Sequence, residues 1–157
     1  RSGAKEISEV TLVVAGPGLD TQYGERLQQI VSQSEELKDL VFFPGMLAGN
    51  AKWGAFYGCE AFILPSHQEN FGISVAEALA SGKPVLISNQ VNIWKEIEIA
   101  GGGIVADDTL EGTKNLLFDW EKLSNEQKLE MGKRAQSAFK KYFAIDPVAY
   151  RLSEAVA

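Results

Sequence analysis

Short, wholly apolar segments alternate with helical stretches along most of this chain. The apolar runs are residues 10–15, 41–43, 61–64, 85–88 and 104–106, and the first three end at Gly16-Pro17-Gly18, Pro44-Gly45 and Pro65-Ser66. Residues 21–37, 51–57 and 73–81 have the apolar spacing of helices, and Asp20 is placed to cap the first of them. Strands that are apolar on both faces are typical of a parallel sheet covered by helices on both sides. The pattern therefore predicts a doubly wound parallel sheet of the α/β class.

The C-terminal third of the chain carries two helix-capping signatures. Asp108 is followed three residues later by Glu111, and Ser124 is followed at the same distance by Gln127. We expect two or three extra helices to finish the chain through Ala157, the last of them restarting at Pro147.

The excess of acidic over basic residues argues against one class of partner, nucleic acids. The chain has 15 Lys and Arg residues against 21 Asp and Glu residues, a net charge of −6, which disfavours nucleic-acid binding. The segment from Lys128 to Lys141 carries Lys133, Arg134, Lys140 and Lys141 close together. We interpret this segment as a solvated helix face, with contact to a lipid surface as the alternative.

Length and cysteine content indicate one intracellular domain. The 157 residues fit a single domain with a sizeable core. Cys59 is the only cysteine, which excludes an intramolecular disulfide and favours a reducing compartment, and we expect it to pack rather than to react. No apolar run reaches the roughly 18 residues of a membrane-spanning helix. We expect a cytoplasmic protein, with the inner face of the membrane as an alternative location.

Ligands of open parallel sheets bind beyond the carboxyl ends of the strands, so the loops 16–20, 44–49 and 65–72 are the candidate sites. Gly16-Pro17-Gly18 begins like a dinucleotide-binding fingerprint, but Thr21 stands where the third glycine belongs. We therefore interpret it as a tight turn, and a nicotinamide dehydrogenase is disfavoured.

The loop 65–72 leads into the helix predicted at 73–81. Backbone N–H groups at Phe71 to Ser74 would lack partners inside this helix and would point, with its positive dipole end, at a bound phosphate. Glu69 and Glu77 flank that position, and carboxylates accept the hydroxyls of a ribose or a sugar. The alternative interpretation is that one is an ordinary solvated glutamate and the other an ordinary glutamate in the N-terminal turn of a helix.

Residues 65–85 read Pro-Ser-x-x-Glu-x-Phe-Gly-Ile-x-x-x-Glu-Ala-x-Ala-x-Gly-x-Pro-Val. Upstream stand Leu-Val-Val-Ala-Gly-x-Gly at 12–18 and Val-x-Phe-x-Gly at 41–45, and downstream come Ile97-Glu98 and Gly-Ile-Val at 103–105. Together they resemble the signature of retaining glycosyltransferases of the large GT-B family, from about Thr11 to Phe143. Residues 44–46, 52–56 and 92–96 are most similar to the bacterial branch that builds exopolysaccharides and other surface glycans.

The resemblance implies a Rossmann-like, C-terminal half of a GT-B fold and a role for each matching residue. Glu69 would be the catalytic residue that contacts the transferred sugar, Glu77 would take the ribose hydroxyls, and the base would lie near Gly45 and Met46. The donor-binding residues that it implies are Glu77, Asn70, Phe71, Gly72, Ile73, Gly45, Met46 and Gly16. We expect no metal and no tightly bound cofactor.

By the same resemblance, a separate N-terminal domain would hold a glycan or lipid-linked acceptor. The basic pair that neutralises the diphosphate, with one strand and helix of the donor domain, would precede Thr11. The expected reaction is transfer of a hexose from a nucleoside-diphosphate sugar to a growing surface glycan. We expect no transfer by this chain alone. Peripheral association of the full-length enzyme with the membrane is a further alternative. The alternatives are a non-catalytic nucleotide-sugar-binding module and a sugar-nucleotide epimerase.

Other side chains that suit a site have structural interpretations. His67, the only histidine, is expected to be a polar loop residue rather than a general base. Trp53 and Trp120 are expected to pack in the core or between domains, whereas Trp94, on the loop expected after residue 88, stays open as a stacking residue.

Overall fold

The computed structural model describes residues 10–144, which form two compact units that divide between Trp53 and Gly54. The first unit contains β1 (Leu12–Ala15), α1 (Gln22–Gln33) and β2 (Val41–Gly45), and α2 (Gly49–Gly58) spans the division. The second unit contains β3 (Phe62–Leu64), α3 (Ile73–Ala80), β4 (Val85–Ser88), α4 (Trp94–Ala100), β5 (Gly103–Ala106), α5 (Leu110–Lys122) and α6 (Asn125–Ala138). A π-helical turn, Phe139–Phe143, continues α6 and is called the π-turn below.

The first unit is a strand–helix–strand segment with a parallel sheet. Leu12 of β1 lies opposite Val41 of β2, and the N–H of Gly16 extends the pairing by donating to the Gly45 carbonyl at 2.9 Å. The predicted cap of α1 was wrong by one residue. Thr21, not Asp20, is the N-cap, because its hydroxyl accepts the Gly24 N–H at 3.2 Å from an extended backbone.

The second unit carries a three-stranded parallel sheet in the order β3-β4-β5. All four residues of β4 are buried, and they alternate between two faces. Val85 and Ile87 belong to a core cluster that includes residues of α3, α4 and α6, whereas Leu86 packs with Leu116 and Trp120 of α5. Helices therefore cover both faces of this sheet, as predicted for a doubly wound α/β fold.

The C-terminal helices begin where hydroxyl caps place them. Ser124 and Gln127 form both hydrogen bonds of a capping box at the start of α6, as predicted. At α5 the cap is Thr109 rather than Asp108, since the Thr109 hydroxyl accepts the Gly112 N–H at 2.9 Å. The helix expected from Pro147 lies outside the described residues.

Helix α4 was not predicted, and it changes the interpretation of Trp94. This residue is the first of α4 rather than part of a loop, and its half-buried ring packs against the core cluster of the second unit. The expectation that Trp94 lies on a loop was therefore wrong, because Trp94 begins a helix. Trp120 is buried as expected, and Trp53 is 39% exposed.

Cys59 lies between α2 and β3, where packing was expected. It is partly buried, and its thiol donates to the Phe56 carbonyl at 3.3 Å. Burial raises its pKa, against smaller lowering effects of Lys83 and of the Cys59 backbone. A raised pKa leaves less thiolate at neutral pH, so this environment does not activate a nucleophile.

Candidate functional site

The loop 65–72 follows the carboxyl end of β3 and is anchored by the neighbouring strand β4. Ser88, the last residue of β4, is fully buried, and its hydroxyl donates to the Ser66 carbonyl while accepting the Gln90 N–H at 3.3 Å. A buried hydroxyl with both a donor and an acceptor role is costly to replace, because its partners would lose their hydrogen bonds. Ser88 therefore fixes the start of the loop to the carboxyl end of β4.

Glu69 has a fixed backbone within the same loop. Its N–H donates to the Gln90 carbonyl at 3.2 Å, and its carbonyl accepts the Asn92 N–H at 3.1 Å. These two bonds form a short parallel bridge between Glu69 and Val91. The bridge lies beyond the last paired residues of β3 and β4, which are Leu64 and Ile87. The loops after β3 and β4 thus hold Glu69 in place through main-chain hydrogen bonds.

The carboxylate of Glu69 also contacts the residue at which the chain enters α3. Its Oε1 atom accepts the N–H of Gly72 at 3.3 Å, and Gly72 is the N-cap residue of the helix. The expectation that all the amides from Phe71 to Ser74 lack partners was therefore wrong for Gly72. Along residues 10–144, no hydrogen-bond acceptor is assigned to the N–H groups of Ile73 and Ser74, which begin α3.

Gly72 sets the direction in which the chain enters α3. Its φ of +67° and ψ of +61° lie in the left-handed region, where a side chain is strained. A Cβ atom here would lie 3.1 Å from Val75 Cγ2 and 3.3 Å from Val91 Cγ1. Both valines are fully buried, so glycine is required for this close approach.

Glu77 lies one turn into α3, as predicted. The helix buries Val75, Ala76, Ala78 and Leu79, which leaves Ile73, Ser74 and Glu77 on its more exposed side. Residues i and i+4 of a helix are neighbours on one face, so Glu77 stands behind the exposed N-terminal turn that begins with Ile73. The second unit therefore brings Glu69, Asn70, Phe71, Gly72, Ile73 and Glu77 into one segment around the start of α3.

The remaining predicted site residues belong to the first unit. Gly16 and Gly45 lie side by side at the carboxyl ends of β1 and β2, joined by the hydrogen bond described above. Gly45 has a φ of +77°, and no heavy atom beyond its chain neighbours lies within 4 Å of the position that a Cβ atom would take. Met46 is 66% exposed.

His67 pairs with an acidic residue from the loop after β5. Its Nδ1 lies 3.1 Å from Oδ2 of Asp108, and the side chain of His67 is 85% exposed. A second cross-loop hydrogen bond, 2.7 Å long, joins Asn89 Nδ2 to Asp107 Oδ1. The expectation of a polar, structural loop residue agrees with this contact. Within the part of the chain that the structure describes, no group of three or more His, Cys, Asp or Glu residues is arranged to hold a metal ion.

Sequence reasoning missed two residues that shape this loop. Ser88 was taken only as the end of an apolar strand, although a hydroxyl closing a fully buried strand is a recognisable signal for a side-chain hydrogen bond. Phe143 lies far along the chain, and its ring meets that of Phe71 at 6.1 Å. No local pattern connects those two positions.

Comparison with known families gives one match that covers most of the chain. The family model described as "Glycosyl transferases group 1" matches residues 2–138. No helix among residues 10–144 is both long and apolar enough to cross a membrane.

Curated relatives and solved structures agree with that match. The chain is 29% identical over 98 residues to mannosylfructose-phosphate synthase of Agrobacterium fabrum, an alignment that covers 61% of this chain and 22% of the relative. It is 38% identical over 82 residues to alpha-monoglucosyldiacylglycerol synthase of Streptococcus pneumoniae, covering 52% of this chain and 18% of the relative. The structure of Anabaena Alr3699/HepE in complex with UDP-glucose superposes with a TM-score of 0.76 and 21% identity, covering 95% of this chain and 41% of that one. This chain thus spans about a fifth of the length of those two curated relatives.

Proposed function

The chain belongs to the glycosyl transferases group 1 family, and we propose that it is the donor-binding half of a retaining hexosyltransferase. The observation that carries this proposal is the start of α3, where the N–H groups of Ile73 and Ser74 lie between the carboxylates of Glu69 and Glu77 along the chain. Exposed amides at a helix N-terminus suit a phosphate, and carboxylates suit sugar hydroxyls. A nucleoside-diphosphate sugar contains both groups.

We propose a different role for each of the two glutamates. Glu77, one turn inside α3, takes the ribose hydroxyls, and the amides of Phe71 and Ile73 approach the diphosphate and sugar. Glu69 contacts the transferred hexose with the oxygen that does not accept the Gly72 N–H. Asn70 completes the loop between them.

The main task of the enzyme in this reaction is to stabilise the leaving group, the nucleoside diphosphate. As the glycosidic bond breaks with retention, positive charge builds on the sugar and negative charge on the diphosphate. The helix N-terminus stabilises that negative charge, and Glu69 faces the positive charge. We propose that the reaction uses no tightly bound metal or cofactor. The expected placement of the nucleotide base at Gly45 and Met46, near Gly16, remains a prediction.

The acceptor side is assigned to a separate N-terminal domain. A segment preceding Thr11 would also contribute one strand and helix to the donor domain. In support, β1 is made of apolar residues, yet Leu12, Val13 and Val14 are all exposed, which is unusual for a strand of a parallel sheet. We propose a growing surface glycan or a lipid-linked sugar as acceptor, in a cytoplasmic enzyme that associates peripherally with the membrane.

The test is donor binding and product analysis with a protein that carries both domains. Free nucleoside diphosphate together with an elongated acceptor supports the transferase, a new isomer of the donor would indicate an epimerase, and binding without turnover would indicate a binding module. A panel of uridine, guanosine and adenosine diphosphate sugars in a thermal-shift assay identifies the donor, because a ligand of the native state raises its stability.

Two variants separate the glutamates. Glu77→Ala is expected to weaken donor binding about tenfold or more, a loss of roughly 1.5 to 3 kcal/mol for a hydrogen bond to a charged group. Glu69→Gln is expected to lower kcat more than it raises KM. Glu121→Ala removes an exposed carboxylate on α5 and serves as the matched control. If Glu77→Ala binds the donor as tightly as the control Glu121→Ala, the proposed role of Glu77 is overturned.

A further inference from the structure

The π-turn that follows α6 packs against α3, the helix whose start forms the proposed donor site. In it, the Ala144 N–H donates to the Phe139 carbonyl at 2.9 Å, a bond that spans five residues instead of the four of an α-helix. Ala144 itself is extended, so the helical path ends directly after Phe143. The π-turn therefore delivers one aromatic residue to the N-terminal side of α3 as the chain leaves the helix.

That residue contacts the donor loop. The rings of Phe143 and Phe71 have centroids 6.1 Å apart and planes at 86°, the edge-to-face arrangement that aromatic pairs favour. Phe143 also packs against the core cluster of the second unit, whereas Phe71 is 47% exposed. Phe143 is thus the better anchored partner, and it restrains Phe71 rather than the reverse.

Phe71 immediately precedes Gly72, whose left-handed conformation is one that glycine leaves readily. Two residues before Phe71, Glu69 is fixed by its backbone bridge to Val91, and its side chain accepts the Gly72 N–H. The loop is therefore held from two sides, by β4 through Glu69 and by the π-turn through Phe71.

From this arrangement we infer that Phe143 is a positioning residue for the donor: through Phe71 it holds the amides at the start of α3 in the orientation that binds the diphosphate. This inference rests on the proposed function, because it assigns Phe143 to the same donor site. Phe143 does not touch the donor, and it acts through the ring of Phe71.

The experiment compares three variants of the full chain. Phe143→Leu keeps an apolar side chain in the core but removes the ring, Phe143→Tyr keeps the ring, and Phe139→Leu makes the same change at the other end of the π-turn. Phe139 packs against the same core cluster, so it reports what loss of core packing alone does. Urea unfolding shows whether the two leucine variants are equally stable.

Amide hydrogen exchange without any donor tests the restraint itself. In Phe143→Leu the amides of Gly72 and Ala76, which donate to Glu69 Oε1 and to the Gly72 carbonyl, are expected to exchange about two- to tenfold faster than in Phe139→Leu, the factor that corresponds to loss of one aromatic pair. Exchange at Leu116 of α5, in the other core cluster, is expected to be the same in both. Phe143→Tyr is expected to restore the wild-type exchange.

Donor titration supplies the functional readout. The dissociation constant of the best nucleoside-diphosphate sugar is expected to rise by a similar factor in Phe143→Leu only. If Phe143→Leu and Phe139→Leu behave alike in exchange, or if tyrosine fails to restore the wild-type rate, the inference is overturned. If no nucleotide sugar binds even the wild-type protein, the proposed function fails instead, while the exchange measurement still decides whether Phe143 restrains the loop.

Discussion

Replacing Gly72 by alanine tests whether the entry to α3 is as constrained as its geometry indicates. Alanine in the left-handed region costs about 1 to 2 kcal/mol relative to glycine. The added Cβ would also lie 3.1 Å from Val75 Cγ2 and 3.3 Å from Val91 Cγ1, both on fully buried side chains. Crowding of this kind in a packed core costs about 1 to 3 kcal/mol more. We therefore expect Gly72→Ala to lower the free energy of unfolding by about 2 to 5 kcal/mol.

The other end of the same helix provides the control. Gly82, just beyond α3, has a φ of +71°, and the nearest atom to its Cβ position is the Gly132 carbonyl oxygen at 3.8 Å. Gly82→Ala should therefore show only the conformational cost of about 1 to 2 kcal/mol. Both variants change the unfolded chain in the same way, so the difference between them reports crowding at Gly72. Urea unfolding followed by circular dichroism measures both, and the reasoning is refuted if Gly72→Ala is no less stable than Gly82→Ala.

Three further expectations concern other parts of the molecule. Ser88→Ala should lower the free energy of unfolding by about 1 to 3 kcal/mol, because it removes the buried hydroxyl that donates to the partly buried Ser66 carbonyl. Ser137→Ala, on an exposed turn of α6, should have little effect in the same urea assay. Burial raises the pKa of Cys59, so the contribution of this thiol to the free energy of unfolding should be complete below the pKa of an unfolded cysteine and should be lost as the pH rises through the folded pKa. Cys59→Ser should flatten that alkaline decline in stability. An unchanged decline would contradict the raised pKa of Cys59. This chain alone should transfer no sugar, and acceptor-dependent diphosphate release in a chromatographic assay would overturn that expectation. It should bind its donor with a dissociation constant in the high-micromolar to millimolar range, roughly −4 to −6 kcal/mol.

The site was predictable where its residues are close together in the chain. Glu69, Gly72 and Glu77 stand on one strand–loop–helix segment, and the rules for helix starts place exposed amides beside them. The hydrogen bond from Gly72 to Glu69 was missed, because an unpaired amide and an amide capped by a nearby carboxylate have the same sequence pattern. Helix α4 was missed for a similar reason, since its seven residues are too few for an apolar periodicity to stand out.

The sequence by itself determined the order of the strands and of the helices other than α4, the doubly wound class and the segment that carries the candidate site. Those properties depend on apolar periodicity and on caps that act within three or four residues. Only the tertiary structure decided that Ser88 ties the loop to β4, that Asp108 pairs with His67, and that Phe143 reaches Phe71. These contacts join residues that are 22, 41 and 72 positions apart. They form because packing brings the carboxyl ends of the parallel strands and the end of the last described helix to the same place, and no local pattern in the chain records which side chains will then be neighbours.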